Sequence, residues 1–132
     1  MELEFKPHDG TDQLPFGTSR GEIRDGHLAG KRCVTRRSIP SDDMYPKDGL
    51  KLGYDSAEEL EFIEVFPPAT CQYSGIQLVG SSTKRVLAEL EKLGHTTEYD
   101  DDSYNFAGLG IILYCPDKKV ESASIYKQGY YD

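Results

Sequence analysis

Apolar positions in the second half of the chain recur with the spacing of an amphipathic helix. They are Val86, Leu87, Leu90 and Leu93. Residues three and four apart share one face of a helix, so this pattern predicts a helix with one buried stripe. We expect Ser81 or Ser82 to cap its start and Gly94 to end it, because these residue types suit the two ends of a helix.

The first half of the chain contains a weaker helix signal. Ser19 and Glu22 have the spacing of a capping box, in which each side chain bonds a free backbone N–H of the first turn. This pair predicts a helix that begins at Ser19 and ends near Gly30. Glycines within that stretch, Gly21 and Gly26, each cost about 1 kcal/mol relative to alanine in a helix.

Strand patterns follow each predicted helix. Alternating or continuous apolar runs predict strands at 50–54, 60–65, 109–114 and 120–126, with a short one at 76–78. Polar turns at 55–59 and 116–119 join the longer strands into two hairpins. The two consecutive prolines at 67–68 mark a junction between the halves, because proline cannot donate a hydrogen bond to a strand ladder.

Two pairs of similar segments indicate an internal duplication. The motif Asp-Asp-x-Tyr-x-x-x-Gly-Leu occurs at 42–50 and again at 101–109. A Gly-Thr-Ser turn at 17–19 is matched by Gly-Ser-Ser at 80–82. We therefore predict an α+β fold made of a tandem repeat, approximately 14–66 and 76–127, within a single domain spanning 1–132. Each copy contributes a helix and an antiparallel hairpin, and the hairpins form one antiparallel sheet with the helices on one side.

Charge narrows the range of partners. The formal net charge is −8. Such a charge disfavours nucleic acid and anionic membranes and attracts basic proteins. A basic segment, residues 31–37, contains Lys31, Arg32, Arg36 and Arg37. It is interpreted as an edge strand protected by charge, with a phosphate or acidic-partner site as the alternative. The N-terminus lacks the pattern of a signal peptide, so a cytoplasmic protein is expected.

The sequence contains no recognisable catalytic motif, and no cofactor is predicted. Cys33, Cys71 and Cys115 are odd in number and widely spaced, which argues against a disulfide framework or a structural zinc site. Each is interpreted as a small buried residue. No nucleophile elbow, phosphate-binding loop or metalloprotease motif is present, so the catalytic set is predicted to be empty.

The best candidates for a functional surface are the acidic and tyrosine side chains of the repeated motif. The predicted partner-binding residues are Asp42, Asp43, Tyr45, Tyr99, Asp100, Asp101, Asp102 and Tyr104. Tyrosine buries a large area at low entropic cost, and carboxylates beside it attract Arg or Lys on a partner. A solvated turn and a calcium site are the alternatives. The aromatic tail at 129–132 is expected to dock on the protein or on a partner.

The turn-and-helix segments at 16–19 and 80–82, each followed by a hairpin, give the chain a layout that resembles tandem α+β proteins of the β-lactamase-inhibitor-protein type. The chain also looks like small bacterial immunity proteins. The resemblance implies that acidic and tyrosine side chains contact a target enzyme. The inhibitor type is secreted and disulfide-bearing, whereas this chain lacks both signals.

We therefore expect an immunity or inhibitor protein that neutralises a basic toxin or enzyme. A homodimeric assembly protein joined by sheet edges and a small enzyme are the alternatives.

Overall fold

A computed structural model describes residues 1–131 as a mixed α+β protein with two β-sheets. Asp132, the last residue of the predicted aromatic tail, lies outside the described residues. In chain order the described strands are β1 (Glu2–Lys6), β2 (Gly10–Thr11), β3 (Asp42–Tyr45), β4 (Leu50–Tyr54), β5 (Leu60–Val65), β6 (Thr70–Tyr73), β7 (Ile76–Gln77), β8 (Glu98–Asp100), β9 (Ser103–Phe106), β10 (Ile111–Tyr114) and β11 (Ser122–Tyr126). The α+β class predicted from the sequence is confirmed.

The two helical regions differ in length. The first consists of the one-turn helix α1 (Arg20–Glu22) and a π-helical segment, Ile23–His27. The predicted helix is thus shorter than 19–30 and irregular, as its two glycines would suggest. The second, α2 (Thr83–Lys92), matches its prediction and ends before Gly94, which has φ +91°. Within residues 1–131, no helix combines the length and apolar character needed to cross a membrane.

Both helical regions begin with a serine cap after a turn that is bonded to the large sheet. The Ser19 side chain accepts a hydrogen bond from the Glu22 N–H, and the Ser82 side chain accepts one from the Arg85 N–H. These bonds satisfy N–H groups that the first turn of a helix leaves free. The predicted caps are confirmed at Ser19 and, of the two candidates in the second half, at Ser82.

The larger sheet has seven antiparallel strands in the order β3-β4-β5-β11-β10-β9-β8. It consists of the meanders β3-β4-β5 and β8-β9-β10-β11, joined where β5 pairs with β11. Directly opposite residues of a ladder share one face of the sheet. The register places Leu52, Ile63, Ala123 and Leu113 on an inner face, and Phe62, Ser124, Ile112 and Asn105 on an outer face.

The smaller sheet has the order β2-β1-β6-β7, and its central pair, β1 and β6, is parallel. The structure therefore has two sheets where the sequence predicted one. The N-terminal strand β1 was not predicted, although Leu3 and Phe5 alternate with charged residues and are both 2% exposed. This sheet covers part of the core that the large sheet leaves open.

A single apolar core connects the described parts of the chain. Inner-face residues of the large sheet, such as Leu52 and Ile63, pack in one cluster with Ile23, Val86 and Phe5. These five side chains belong to the first helical region, α2 and both sheets. Neither half of the chain has a core of its own, so we expect residues 1–131 to unfold as one unit.

All four residues of the first Asp-Asp-x-Tyr motif lie in β3, whereas the second copy begins as the turn between β8 and β9 and ends within β9. Tyr45 of β3 lies opposite Leu50, whereas Tyr104 of β9 lies opposite Leu113. The two motif copies therefore occupy different register positions, and the tandem repeat as aligned from the sequence stays a prediction. The basic segment 31–37 also differs from its prediction, because it is irregular except for one bridge between Val34 and Met44.

The backbone of Gly110, just before β10, packs closely against the end of β11. Its φ is +70°, and an added Cβ would lie 2.7 Å from the carbonyl oxygen of Tyr126. We predict that Gly110→Ala lowers the free energy of unfolding by about 2 kcal/mol or more, because backbone strain and a steric clash combine. The matched control is Gly94→Ala, which has φ +91° and open space, and should cost about 1 kcal/mol. Equal losses of the two variants in urea unfolding would contradict the packing argument.

Candidate functional site

The most exposed part of the predicted site is a two-residue hairpin between β8 and β9. Asp100 pairs with Ser103, so Asp101 and Asp102 form the turn. Their φ values are +48° and +67°, the left-handed region that a type I′ turn requires at both positions. Asparagine followed by glycine is the usual choice there, and two aspartates make this turn strained. We call residues 98–104 the acidic hairpin tip.

Tyr99 is held in place on this acidic hairpin tip. Its side chain is 59% exposed, and its hydroxyl donates a hydrogen bond of 3.2 Å to the Asp102 carboxylate. The Tyr104 ring lies beside it, with 4.8 Å between ring centroids and an interplanar angle of 50°. These two contacts limit the rotamers of an exposed aromatic ring. A partner would therefore meet a tyrosine that has already lost part of its conformational freedom.

The first copy of the motif is mostly inside the protein. Asp43 and Tyr45 are 0% and 1% exposed, and both point to the inner face of the large sheet. Asp42 points to the outer face and lies 3.7 Å from the Lys51 ammonium. The structure thus brings together the candidate residues 99–104 at one edge of the sheet and leaves residues 42–45 at the opposite edge.

Asp43 is the buried acceptor of a partly exposed cluster that sequence reasoning missed. Arg20 donates to its two carboxylate oxygens at 2.6 and 3.1 Å, and Arg24 donates to the same two oxygens at 2.7 and 2.8 Å. The Thr35 hydroxyl donates a fifth bond, of 2.6 Å. The only sequence signal was the presence of two arginines four residues apart, on one face of the predicted first helix. We call these four residues the Asp43 cluster.

The protonation of the Asp43 cluster follows from its contacts. Burial alone would raise the pKa of Asp43, but the hydrogen bonds from Arg20, Arg24 and Thr35 outweigh it and hold that pKa far below its usual value. The same bonds raise the pKa of both arginines. The cluster is therefore one carboxylate and two guanidinium groups, all charged at neutral pH.

Arg20 extends this cluster to neighbouring segments. It also bonds the Glu58 carboxylate at 2.9 Å and the carbonyl of Pro40 at 2.9 Å, and its guanidinium carbon lies 4.9 Å from the centre of the Tyr54 ring. Arg24 bonds Thr35 as well, at 3.1 Å. These contacts join α1, the 28–41 loop, β3 and the turn after β4. The arrangement is a structural clamp, in which all three nitrogens of the Arg20 guanidinium bond partners within the chain.

Thiols and metal-ligating side chains are scattered over residues 1–131. No group of three or more His, Cys, Asp or Glu side chains in that range is arranged to hold a metal ion. Cys33, Cys71 and Cys115 are free thiols, and the last two are buried as predicted, whereas Cys33 is half-buried. Burial raises the pKa of Cys71 to about 12 and also raises that of Cys115, so both stay protonated and unreactive.

The Asp43 cluster generates a stability prediction. Asp43→Asn should lower the free energy of unfolding at pH 7 by about 3 kcal/mol, because two arginines then lose their buried counter-charge. The matched control is the neighbouring Asp42→Asn, whose partly exposed pair with Lys51 should contribute less than about 1 kcal/mol. Urea unfolding measures both values.

The stability difference between wild type and Asp43→Asn should depend on pH. The folded pKa of Asp43 lies below the unfolded value of 3.8, so the carboxylate stabilises the fold fully above that value. The stabilisation is lost as the pH falls from 3.8 towards the folded pKa. The gap between wild type and Asp43→Asn should therefore narrow in that range, and a gap independent of pH would contradict the ionised cluster.

Relief of strain in the turn between β8 and β9 should make the protein more stable. The double variant Asp101→Asn with Asp102→Gly should raise the free energy of unfolding by about 1 kcal/mol, because these residues suit the left-handed turn. Asp101→Ala with Asp102→Ala removes the same carboxylates but cannot relax the backbone, and it should lower stability instead. Thermal unfolding of the two variants side by side separates strain from charge.

Comparison of this chain with protein-family models, with curated proteins and with solved structures returned no significant match. The functional conclusion therefore depends on the geometry of the acidic hairpin tip and the charge around it.

Proposed function

We propose that this protein is a binding protein of the immunity or inhibitor type, which neutralises a basic toxin or enzyme through its acidic hairpin tip. The contact residues are Tyr99, Asp100, Asp101, Asp102 and Tyr104. Asp43 and Tyr45 support the fold in this proposal, because they are 0% and 1% exposed, and Asp42 lies at the far edge of the sheet.

The observation that carries the proposal is an exposed, held tyrosine beside a turn that contains two strained aspartates. An Asn-Gly turn would make the same hairpin with less backbone strain. Backbone strain of this kind is concentrated at functional sites. Tyr99 then acts as an aromatic anchor, and Asp102, whose carboxylate accepts its hydrogen bond, is its charged neighbour.

Charge supports a basic partner in particular. The net charge is −8, and Glu98, Asp100 and Asp101 are all exposed at one edge of the large sheet. No ion pair within residues 1–131 involves any of these three carboxylates. Their field is thus free to attract cations of a partner, which speeds association and weakens with salt. The same charges disfavour pairing of two identical β8 edges.

We also infer a duplication, with a register that differs from the sequence alignment. The Gly17 N–H donates to the carbonyl of Leu60, and the Gly80 N–H donates to that of Val120, at 2.9 and 2.8 Å. In return, the Leu60 N–H donates to the carbonyl of Thr18, and the Val120 N–H donates to that of Ser81, each at 2.9 Å. Gly49 and Gly110 have φ +74° and +70°. The Gly49 carbonyl accepts a hydrogen bond from the Phe66 N–H, and the Gly110 carbonyl accepts one from the Tyr126 N–H. These matches support one ancestral unit.

We further propose a cytoplasmic location. The three cysteines are free thiols, and a reducing compartment preserves free thiols.

Site-specific photo-crosslinking tests the binding proposal. A benzoylphenylalanine replaces Tyr99 in cells that naturally make this protein, and the control position is Leu93, which is 51% exposed at the end of α2. We expect position 99 to capture one basic protein that position 93 does not capture. That protein, once purified, should lose activity when an equal amount of wild-type protein is added.

The variant Asp101→Asn with Asp102→Gly then separates binding from folding. It should bind the captured protein at least about tenfold more weakly, since two carboxylates are gone and Tyr99 has lost the acceptor that holds it, while its fold remains intact. Unchanged affinity, an acidic captured protein or a captured second copy of this chain would each overturn the proposal. The last result would instead favour the assembly protein.

A further inference from the structure

The outer face of the large sheet forms a groove beside the acidic hairpin tip. The groove has a volume of about 430 Å³, and Ile112 of β10 and Asn105 of β9 line it. These residues lie opposite each other in the ladder, so both side chains point to the outer face. Glu98 and Asp100 of β8 and Asp101 of the turn line its acidic wall.

The chain's own C-terminal segment supplies the aromatic lining. Tyr131 lines the groove and is 61% exposed. Its ring meets that of Tyr126 edge-on at 4.8 Å and that of Tyr130 at 4.9 Å. Tyr130 in turn packs on Phe62, with 5.4 Å between the ring centroids. The tail is thus docked on the protein through residue 131, as expected, and Tyr131 is supported from two sides.

The lining of the groove specifies the chemistry of its occupant. An aromatic ring, carboxylates and the aliphatic side chain of Ile112 together suit a cation carried on an aliphatic stem. A guanidinium group fits this combination better than an ammonium, because it stacks on a ring and bonds carboxylates in a planar, two-point geometry. No basic side chain within residues 1–131 lines the groove. The charge complementarity is therefore with a group from outside the chain.

We propose that this groove receives an arginine side chain of the basic partner, with Tyr131 against the guanidinium, Ile112 under the stem, and Glu98 and Asp100 as counter-charges. This inference rests on the proposed function, because it names the partner residue that docks beside the acidic hairpin tip. It adds Glu98, Ile112 and Tyr131 to the contact surface, none of which the sequence analysis selected.

The test uses a small probe and does not require the partner. N-acetyl-arginine amide is titrated into the ¹⁵N-labelled protein, and N-acetyl-citrulline amide is the matched neutral control of nearly the same shape. We expect the arginine probe to shift the amide signals of Asp100, Asn105 and Ile112 to saturation in the millimolar range, and the citrulline probe to leave them unchanged. Equal shifts with both probes, or no saturating shift at these residues, would overturn the inference.

Two tyrosine variants locate the binding. Tyr131→Ala should weaken the arginine probe about fivefold, the effect of losing one cation–π contact. Tyr114→Ala changes another exposed tyrosine of the same outer face that does not line the groove, and should leave the affinity unchanged. The reverse result would contradict the assignment. If arginine binds but cross-linking captures no basic protein, the proposed function fails; if a basic partner is captured but arginine does not bind, only the groove fails.

Discussion

The Asp43 cluster is the interaction on which the first half of the structure depends. Five hydrogen bonds from three side chains converge on one carboxylate that is 0% exposed. A helix as short as α1 is not stable by itself, because the first helical turn fixes several backbone dihedral angles and forms only one hydrogen bond. Within the 28–41 loop, Val34 forms a bridge with Met44, and the Ser41 carbonyl accepts a hydrogen bond from the Tyr54 N–H. The Asp43 cluster adds a link between the two segments, because their arginine and threonine side chains bind the same buried charge.

This clamp and the acidic hairpin tip lie at opposite edges of the large sheet. β3 and β8 are its two end strands, and six strand spacings separate them by roughly 29 Å. Changes at sites this far apart, with no shared contact, act independently on stability. The tip therefore carries strained turn residues and unpaired carboxylates without weakening the clamp. In the proposed function, the clamp edge stabilises the fold and the other edge binds the partner.

The C-terminal tail adds two aromatic rings to the outer face of the large sheet. Tyr130 and Tyr131 pack on outer-face aromatics, and burial raises the pKa of both phenols. They remain neutral near pH 7, so the tail contributes rings rather than charge. The acidic groups of the groove come from β8 and its turn instead. An aromatic lining from one segment thus faces a charged wall from another, which neither segment could form alone.

The sequence by itself determined features that depend on near neighbours in the chain. The serine cap and apolar stripe of α2, and the hairpin strands β4, β5, β10 and β11, follow from spacing and capping that act within a few residues. The Gly17 and Gly80 turns were visible for the same reason. The weakness of the first helix was also readable, since Gly21 and Gly26 lie within it.

Only the tertiary structure decided which copy of the repeated motif is buried and which is exposed. Asp43 and Asp101 occur in similar local sequences, yet one is buried under two arginines and the other is exposed on a strained turn. Burial depends on which distant segments pack against a residue, and Arg20, Arg24 and Thr35 are brought to Asp43 only by the fold. The second sheet and the groove beside Tyr131 were hidden for the same reason, because each joins segments that are distant in the sequence: β1 pairs with β6, and Tyr131 lies beside residues 98–112.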